Sequence, residues 1–349
     1  MFENLPLGAN AAVFLLSSIA VWIAGTRVTR YADLLQTRTG IGEALVGLFV
    51  LGFVSALPEL AVTVSASWAG NARLAVNNLL GGMALNVAIL ASADALVRRE
   101  ALTSAVATPT PLLQAALLIV LLSVVAGATL MEEAQILGIG AWAWAIAVIY
   151  VICVRVIHQT KGRQQPWIPQ ARGPARPRPV FEPVAEAGKS PAARPAQLAP
   201  KIAVSAAAIL VAGYALSRTG DALAEQTGLG QSFFGAVFLA LATSLPEISI
   251  VVAAVKIGRY EMAIADIFGA NLFGLALLFV VDIAYSGAPV LSEVGRFSTF
   301  AALLGIAVTA LFVAGLVERR HSRIMRMGLD SITVLVTYIA GLVLLYRVR

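Results

Sequence analysis

The 349-residue chain holds one cysteine, Cys153, and two histidines, His158 and His321. A lone cysteine excludes an intrachain disulfide and a thiolate metal cluster. Two histidines in separate basic loops do not make a zinc site. The chain also lacks a Ser-His-Asp set, a His-Glu-x-x-His helix and a Gly-x-x-x-x-Gly-Lys-[Ser/Thr] loop. Hydrolytic chemistry and ATP-driven pumping therefore have no residues to carry them, and neither an enzymatic role nor a resident cofactor is expected. Charge is scarce too: Asp, Glu, Lys and Arg make up 13% of the chain, about half the roughly 25% of soluble domains.

Apolar residues fill the remainder. The composition is 59% hydrophobic and the mean hydropathy is +0.85, values that place the chain in a bilayer. A span needs about 20 apolar residues to cross about 30 Å of hydrocarbon. Ten windows qualify: 9–25, 41–67, 72–95, 110–130, 134–157, 202–217, 231–255, 262–285, 296–316 and 329–346. Met1-Phe2-Glu3-Asn4 lacks the basic start of a cleaved signal peptide, so the first window is read as a retained span.

With the N-terminus outside, 20 of the 25 Lys and Arg fall in loops on the inner side, among them Arg27, Arg98, Arg99, Lys256 and Arg319. Only Arg73, Arg218, Arg296, Arg347 and Arg349 fall outside. Such asymmetry sets orientation in a membrane. The net charge of +6 thus reflects topology, and no nucleic-acid partner is expected because the basic residues are spread over five loops. Between the halves, residues 158–200 carry nine of the 15 prolines and seven Lys or Arg. That composition buries little surface and predicts an extended, mobile cytoplasmic tether able to touch anionic lipid heads. The expected organisation is residues 1–157 with five spans, the linker 158–200, and residues 201–349 with five more.

The most specific feature is a repeat. Leu51–Asp94 and Leu239–Asp282 align without a gap at an offset of 188 and share 12 identities over 44 positions. Each carries Leu-Pro-Glu inside an apolar stretch: Leu57-Pro58-Glu59 and Leu245-Pro246-Glu247. An acid at the centre of a span is expensive, about 2.5–3.5 kcal/mol on insertion scales, and marks a functional site. The proline beside it breaks the helix at the same depth, freeing the carbonyls of Val54 and Ala242. Five spans per half, an odd number, invert the second half relative to the first and place the site between two broken helices.

Ser55 and Thr243 each precede an acid by four residues and share its helix face. Two carboxylates, hydroxyls and bare carbonyls make an oxygen cage suited to Ca²⁺ or Na⁺. Two bare carboxylates in low dielectric also demand charge balance, from one divalent cation, two monovalent cations or protons. That demand is the logic of an antiporter.

These residues resemble the cation/calcium antiporter superfamily, whose best-known members are the Na⁺/Ca²⁺ exchangers. Its repeats carry a Gly-Thr-Ser-Leu-Pro-Glu core and a Gly-Ser-Asn-x-x-Asn/Asp helix. Here the cores are Val54-Ser55-Ala56-Leu57-Pro58-Glu59 and Ala242-Thr243-Ser244-Leu245-Pro246-Glu247. The second elements are Gly81-Gly82-Met83-Ala84-Leu85-Asn86 and Gly269-Ala270-Asn271-Leu272-Phe273-Gly274. The resemblance implies an all-α membrane protein of ten transmembrane helices in two inverted five-helix repeats. It implies a calcium site on Glu59 and Glu247, with Ser55, Thr243, Ser244 and Asn86 as further cation ligands. Asn78 and Asp266, equivalent across the repeat, and Asn271 are candidate accessories, with a hydrogen-bonded helix-end role as the alternative for the first two. The chain departs from the pattern at Ala56, Gly82, Ala270 and Gly274, where the family places hydroxyls or a central acid or amide used for sodium.

The reading is a secondary-active antiporter of the cell membrane. It exchanges Ca²⁺ or a related divalent cation for Na⁺ or H⁺, with inorganic cations and the bilayer as partners. A proton-coupled or monovalent-cation antiporter is the alternative, and a passive channel a more distant one. Asp94 and Asp282 lie eight residues beyond Asn86 and Gly274, about 12 Å along a helix, and are read as interfacial. Thiol labelling of an Ala175→Cys variant in sealed cells checks the topology. Residue 175 should be silent to an impermeant reagent outside, and labelling there contradicts an inner linker.

Overall fold

The computed structural model describes residues 2–39, 56–97, 101–106, 108–131, 134–161, 195–318, 323–324 and 327–349. Its first half contains helices α1 (Leu7–Thr39), α2 (Leu57–Trp68), α3 (Ala72–Ala93), α4 (Thr110–Ala128) and α5 (Ala141–Lys161). The second contains α6 (Pro195–Gln226), α7 (Gln231–Thr243), α8 (Leu245–Lys256), α9 (Tyr260–Ala284), α10 (Gly295–Glu318) and α11 (Leu329–Val348). Two hairpins complete the set: β1 (Gln135–Ile136) with β2 (Ile139–Gly140), and β3 (Arg323–Ile324) with β4 (Met327–Gly328).

Among the described residues, eight helices are long and apolar enough to cross a membrane: α1, α3 to α6, and α9 to α11. The pair α7–α8, bent by 49° at its break, passes the same test of length and composition only when taken together, as a broken span or a re-entrant loop. The second of the ten expected windows, 41–67, is described only in α2, because residues 40–55 lie outside the described set, Ser55 among them. Residues 162–194 of the linker lie outside it as well.

One expectation changes. The window 134–157 opens with a hairpin rather than a helix, since Leu137 and Gly138 both take positive φ (56° and 79°), the pairing of torsions that closes a two-residue hairpin turn. At the two ends of the 158–200 stretch the described residues are helical, with α5 running on to Lys161 and α6 starting at Pro195. A proline is tolerated at a helix start, where its missing N–H has no partner to lose.

The offset of 188 recurs through most of the described elements, α4 and α10 excepted. The bounds of α2 and α8 differ by it at both ends, and the hairpins match residue for residue. Helices α1 and α6, α3 and α9, and α5 and α11 start 188 residues apart. Lipid-facing residues are interchangeable, so sequence identity fades while span lengths persist.

The halves interlock. Helix α1 packs along α6, α6 packs on α2, and α1 packs on α8, while α3 and α9 meet at the centre flanked by α4 and α10. Trp22 of α1 donates from Nε1 to the Ser249 Oγ of α8 at 2.6 Å. Close approach depends on small residues, as expected where lipid removes the hydrophobic drive between helices. At Gly81 in α3, any side chain would run into the backbone of Ala236 in α7.

Asp94 and Asp282 fasten the two halves. Asp94 is fully buried and accepts from the N–H of Leu102 (2.6 Å) and of Gly328 (2.6 Å). Asp282, 5% exposed, accepts from the N–H of Val290 (2.7 Å) and of Gly140 (2.7 Å). Gly328 precedes α11 and Gly140 precedes α5. Each aspartate thus satisfies the chain just before a helix of the opposite half. The Asp282→Ala variant leaves two buried N–H groups unpaired, a loss of about 2–6 kcal/mol at about 1–3 kcal/mol per group. Thermal unfolding in detergent should show a clear fall in Tm, with a smaller fall for Asp282→Asn. A Tm no lower than that of Leu137→Ala, at an exposed hairpin tip, contradicts the clamp.

Candidate cation site

The site is assembled from two helix starts and two helix middles. Ala56 and Ser244, the residues before α2 and α8, have nearly the same torsions (φ −87°, ψ 6° and φ −85°, ψ 4°). Pro58 and Pro246 then occupy the second helical position and Glu59 and Glu247 the third. The Ala242 carbonyl loses its helical partner to Pro246, and the chain bends there. Both acids therefore sit in the first turn of a helix, where the positive end of the helix dipole favours negative charge. Before the bend, Gly235–Leu239 forms a π-helical turn, a distortion common at functional sites.

These elements enclose a cavity of about 20 Å³, room for about one water-sized group. The helix breaks bring Ala56, Glu59 and Glu247 to it; α3 contributes Asn78, Leu79, Gly82, Met83 and Asn86; α9 contributes Ala270, Asn271 and Gly274. Glu247 is 2% exposed. Among the described residues, the buried Oε2 atoms of both glutamates have no hydrogen-bond partner, and the same is true of Asn86 Oδ1, Asn78 Nδ2 and Ser244 Oγ. Buried polar atoms are rarely left unpaired, and four of these five belong to residues that line the cavity.

A hydrogen-bond relay fixes the orientation of the central amides. Asn271 Nδ2 donates to the Met83 carbonyl at 3.1 Å. The carbonyl accepts only, so the Asn271 Oδ1 must face Asn86, whose Nδ2 donates to it at 2.9 Å. Asn86 is left with its oxygen toward the cavity. On the far side, Thr243 Oγ1 donates to Asn78 Oδ1 at 3.5 Å and to the Ala240 carbonyl at 3.1 Å.

Of the residues expected from the sequence, Glu59, Glu247, Asn86, Asn78 and Asn271 meet at this cavity. Thr243 stands behind it through Asn78. Ser244 Oγ lies 3.9 Å from where a Cβ on Gly82 would stand. Asp266 is half-buried and outside the wall, although its repeat counterpart Asn78 is part of it. Ser55 lies outside the described residues. Sequence reasoning gave no role to Met83; the signal available was its equivalence to Asn271 across the repeat. Among the described residues the acids that line the cavity are Glu59 and Glu247.

A family model described as sodium/calcium exchanger protein matches residues 9–159 and 201–347. The inner membrane protein YrbG of Escherichia coli K12 is 26% identical over 268 residues, 76% of this chain and 77% of YrbG. Among solved structures, the H⁺/Ca²⁺ exchanger CAX superposes with a TM-score of 0.71 at 15% identity, over 97% of this chain and 85% of CAX. The sodium-calcium exchanger NCX_Mj, soaked with Na⁺ and Sr²⁺, superposes with a TM-score of 0.58 at 14% identity, over 97% of this chain and 99% of its own.

Proposed function

The chain belongs to the sodium/calcium exchanger protein family, and we propose that it is a secondary-active antiporter that carries Ca²⁺ or a related divalent cation on Glu59 and Glu247. The observation that carries this reading is the convergence of two unpartnered carboxylate oxygens, one from each half, with Asn86 Oδ1 on a single water-sized cavity. Oxygen ligands of this kind suit hard cations, and one divalent ion cancels both charges at once. Proteins solved in this fold include exchangers of both couplings, so the fold leaves the counter-ion open and the residues must choose it. Gly82, Ala270 and Gly274 offer no side-chain oxygen, which favours protons over sodium as the counter-charge. The cation is cargo, and no resident cofactor takes part.

In this reading residues 1–157 and 201–349 are five-span halves of opposite orientation, joined by 158–200 on the cytoplasmic side of the cell membrane, near anionic lipid heads. The ten spans comprise the eight long helices, the bent pair α7–α8 and the window 41–67. Alternating access then exposes one fixed site to each side in turn.

Replacing either acid tests the assignment. Glu59→Gln and Glu247→Gln keep the shape and remove one charge, so each should abolish Ca²⁺ flux in proteoliposomes while the protein still inserts. Wild-type flux in either variant shows that its acid is structural. The coupling is read from Ca²⁺ uptake under an imposed pH gradient and, separately, under a sodium gradient. Uptake should follow the pH gradient, and robust sodium-driven uptake that ignores pH overturns proton coupling.

A further inference from the structure

The cavity is less symmetric than the chain. Under the 188-residue offset Asn271 is the counterpart of Met83, and Gly274 the counterpart of Asn86. Each half thus supplies one amide where the repeat has two places. The surviving pair, Asn86 and Asn271, join in a hydrogen bond. The remaining two places also face one another: a Cβ on Gly274 would lie 3.2 Å from Met83 Cε. The methionine methyl takes up the room that a side chain at 274 would fill, and Met83 is 3% exposed.

We propose that Met83 and Gly274 form an apolar plug that confines this cavity to one cation and keeps sodium from competing for it; the proposal rests on the cavity being the cation site. A thioether methyl offers no oxygen to a hard cation. The Met83 carbonyl, the other oxygen on that flank, is engaged by Asn271 Nδ2. The unpartnered oxygens left for a cation at the cavity wall are those of Glu59, Glu247 and Asn86. Space agrees with chemistry, since a cavity of about 20 Å³ admits about one water-sized occupant. Two sodium ions would be needed to balance two carboxylates. The second would have to sit against the plug, with neither room nor ligands. One divalent cation, or protons held on the carboxylates themselves, needs no second place.

The test is ⁴⁵Ca²⁺ binding to the purified full-length protein in detergent, by equilibrium dialysis with sodium as competitor. Wild type should bind Ca²⁺ and release it to sodium only weakly, with a Hill coefficient of about 1. The Met83→Asn/Gly274→Asn variant restores both amides. Sodium should then displace Ca²⁺ at a concentration on the order of tenfold lower, the effect of one added ligand to a charge, and with a coefficient of about 2. Met83→Leu, apolar and of similar volume, should keep the wild-type curve. Sodium competition in the double variant that matches wild type overturns the plug. Should the double variant not fold, Met83→Ala serves instead, since it opens the flank to water. Sodium should then compete severalfold more strongly, and an unchanged curve overturns the plug in the same way. Failure of the underlying reading looks different: Ca²⁺ binding is absent in wild type, or persists unaltered in Glu247→Gln.

Discussion

Two glutamate side chains, one from each half, line one water-sized space, and two carboxylates held close together away from bulk water call for charge balance. Much of the rest of the structure serves that demand. The helices bearing Glu59 and Glu247 begin beside the cavity, so the positive ends of their dipoles are turned toward it. The prolines that make those starts possible also free backbone carbonyls nearby. The Met83 carbonyl orients Asn271, and Asn271 orients Asn86, so an oxygen rather than an N–H is presented to the cavity. In the proposed reading a cation or protons complete the set, and a site that needs a charged occupant at all times is suited to exchange one for another rather than to leak.

The frame around the site is built twice from one plan. Because the same elements recur at a constant offset, contacts between halves can occur in matched pairs, as with Asp94 on Gly328 and Asp282 on Gly140. These clamps lie at the ends of α3 and α9, away from the cavity. They hold the central helices to the start of the outermost helix of the other half. Gly81 plays the complementary part at the centre, where it lets α3 and α7 touch backbone to backbone. The result is a pair of central helices fixed at their ends and packed tightly beside the acids.

Much of this was legible in the sequence for physical reasons. An acid next to a proline in an apolar run has few structural explanations, so Glu59 and Glu247 stood out, and both line the cavity. Span windows at α3, α9 and α11 fell within two residues of the observed helices, because hydrocarbon thickness dictates length. The β1–β2 hairpin escaped because Gln135–Gly140 is as apolar as the helix that follows it, and hydropathy alone does not report torsions. The partners of Asp94 and Asp282 escaped because they lie in the opposite half, beyond the reach of local pattern. Met83 escaped because methionine in a membrane helix is ordinary, and its meaning comes from what faces it across the repeat.

The central claim is that one cation sits between Glu59 and Glu247. Its most direct measurement is an anomalous difference map from crystals of the full chain soaked in Sr²⁺. The account predicts one strong peak per chain, within coordination distance of a carboxylate oxygen from each glutamate and near Asn86 Oδ1. A peak at the separate cavity beside Asp330 and Glu318, with none between Glu59 and Glu247, would contradict it.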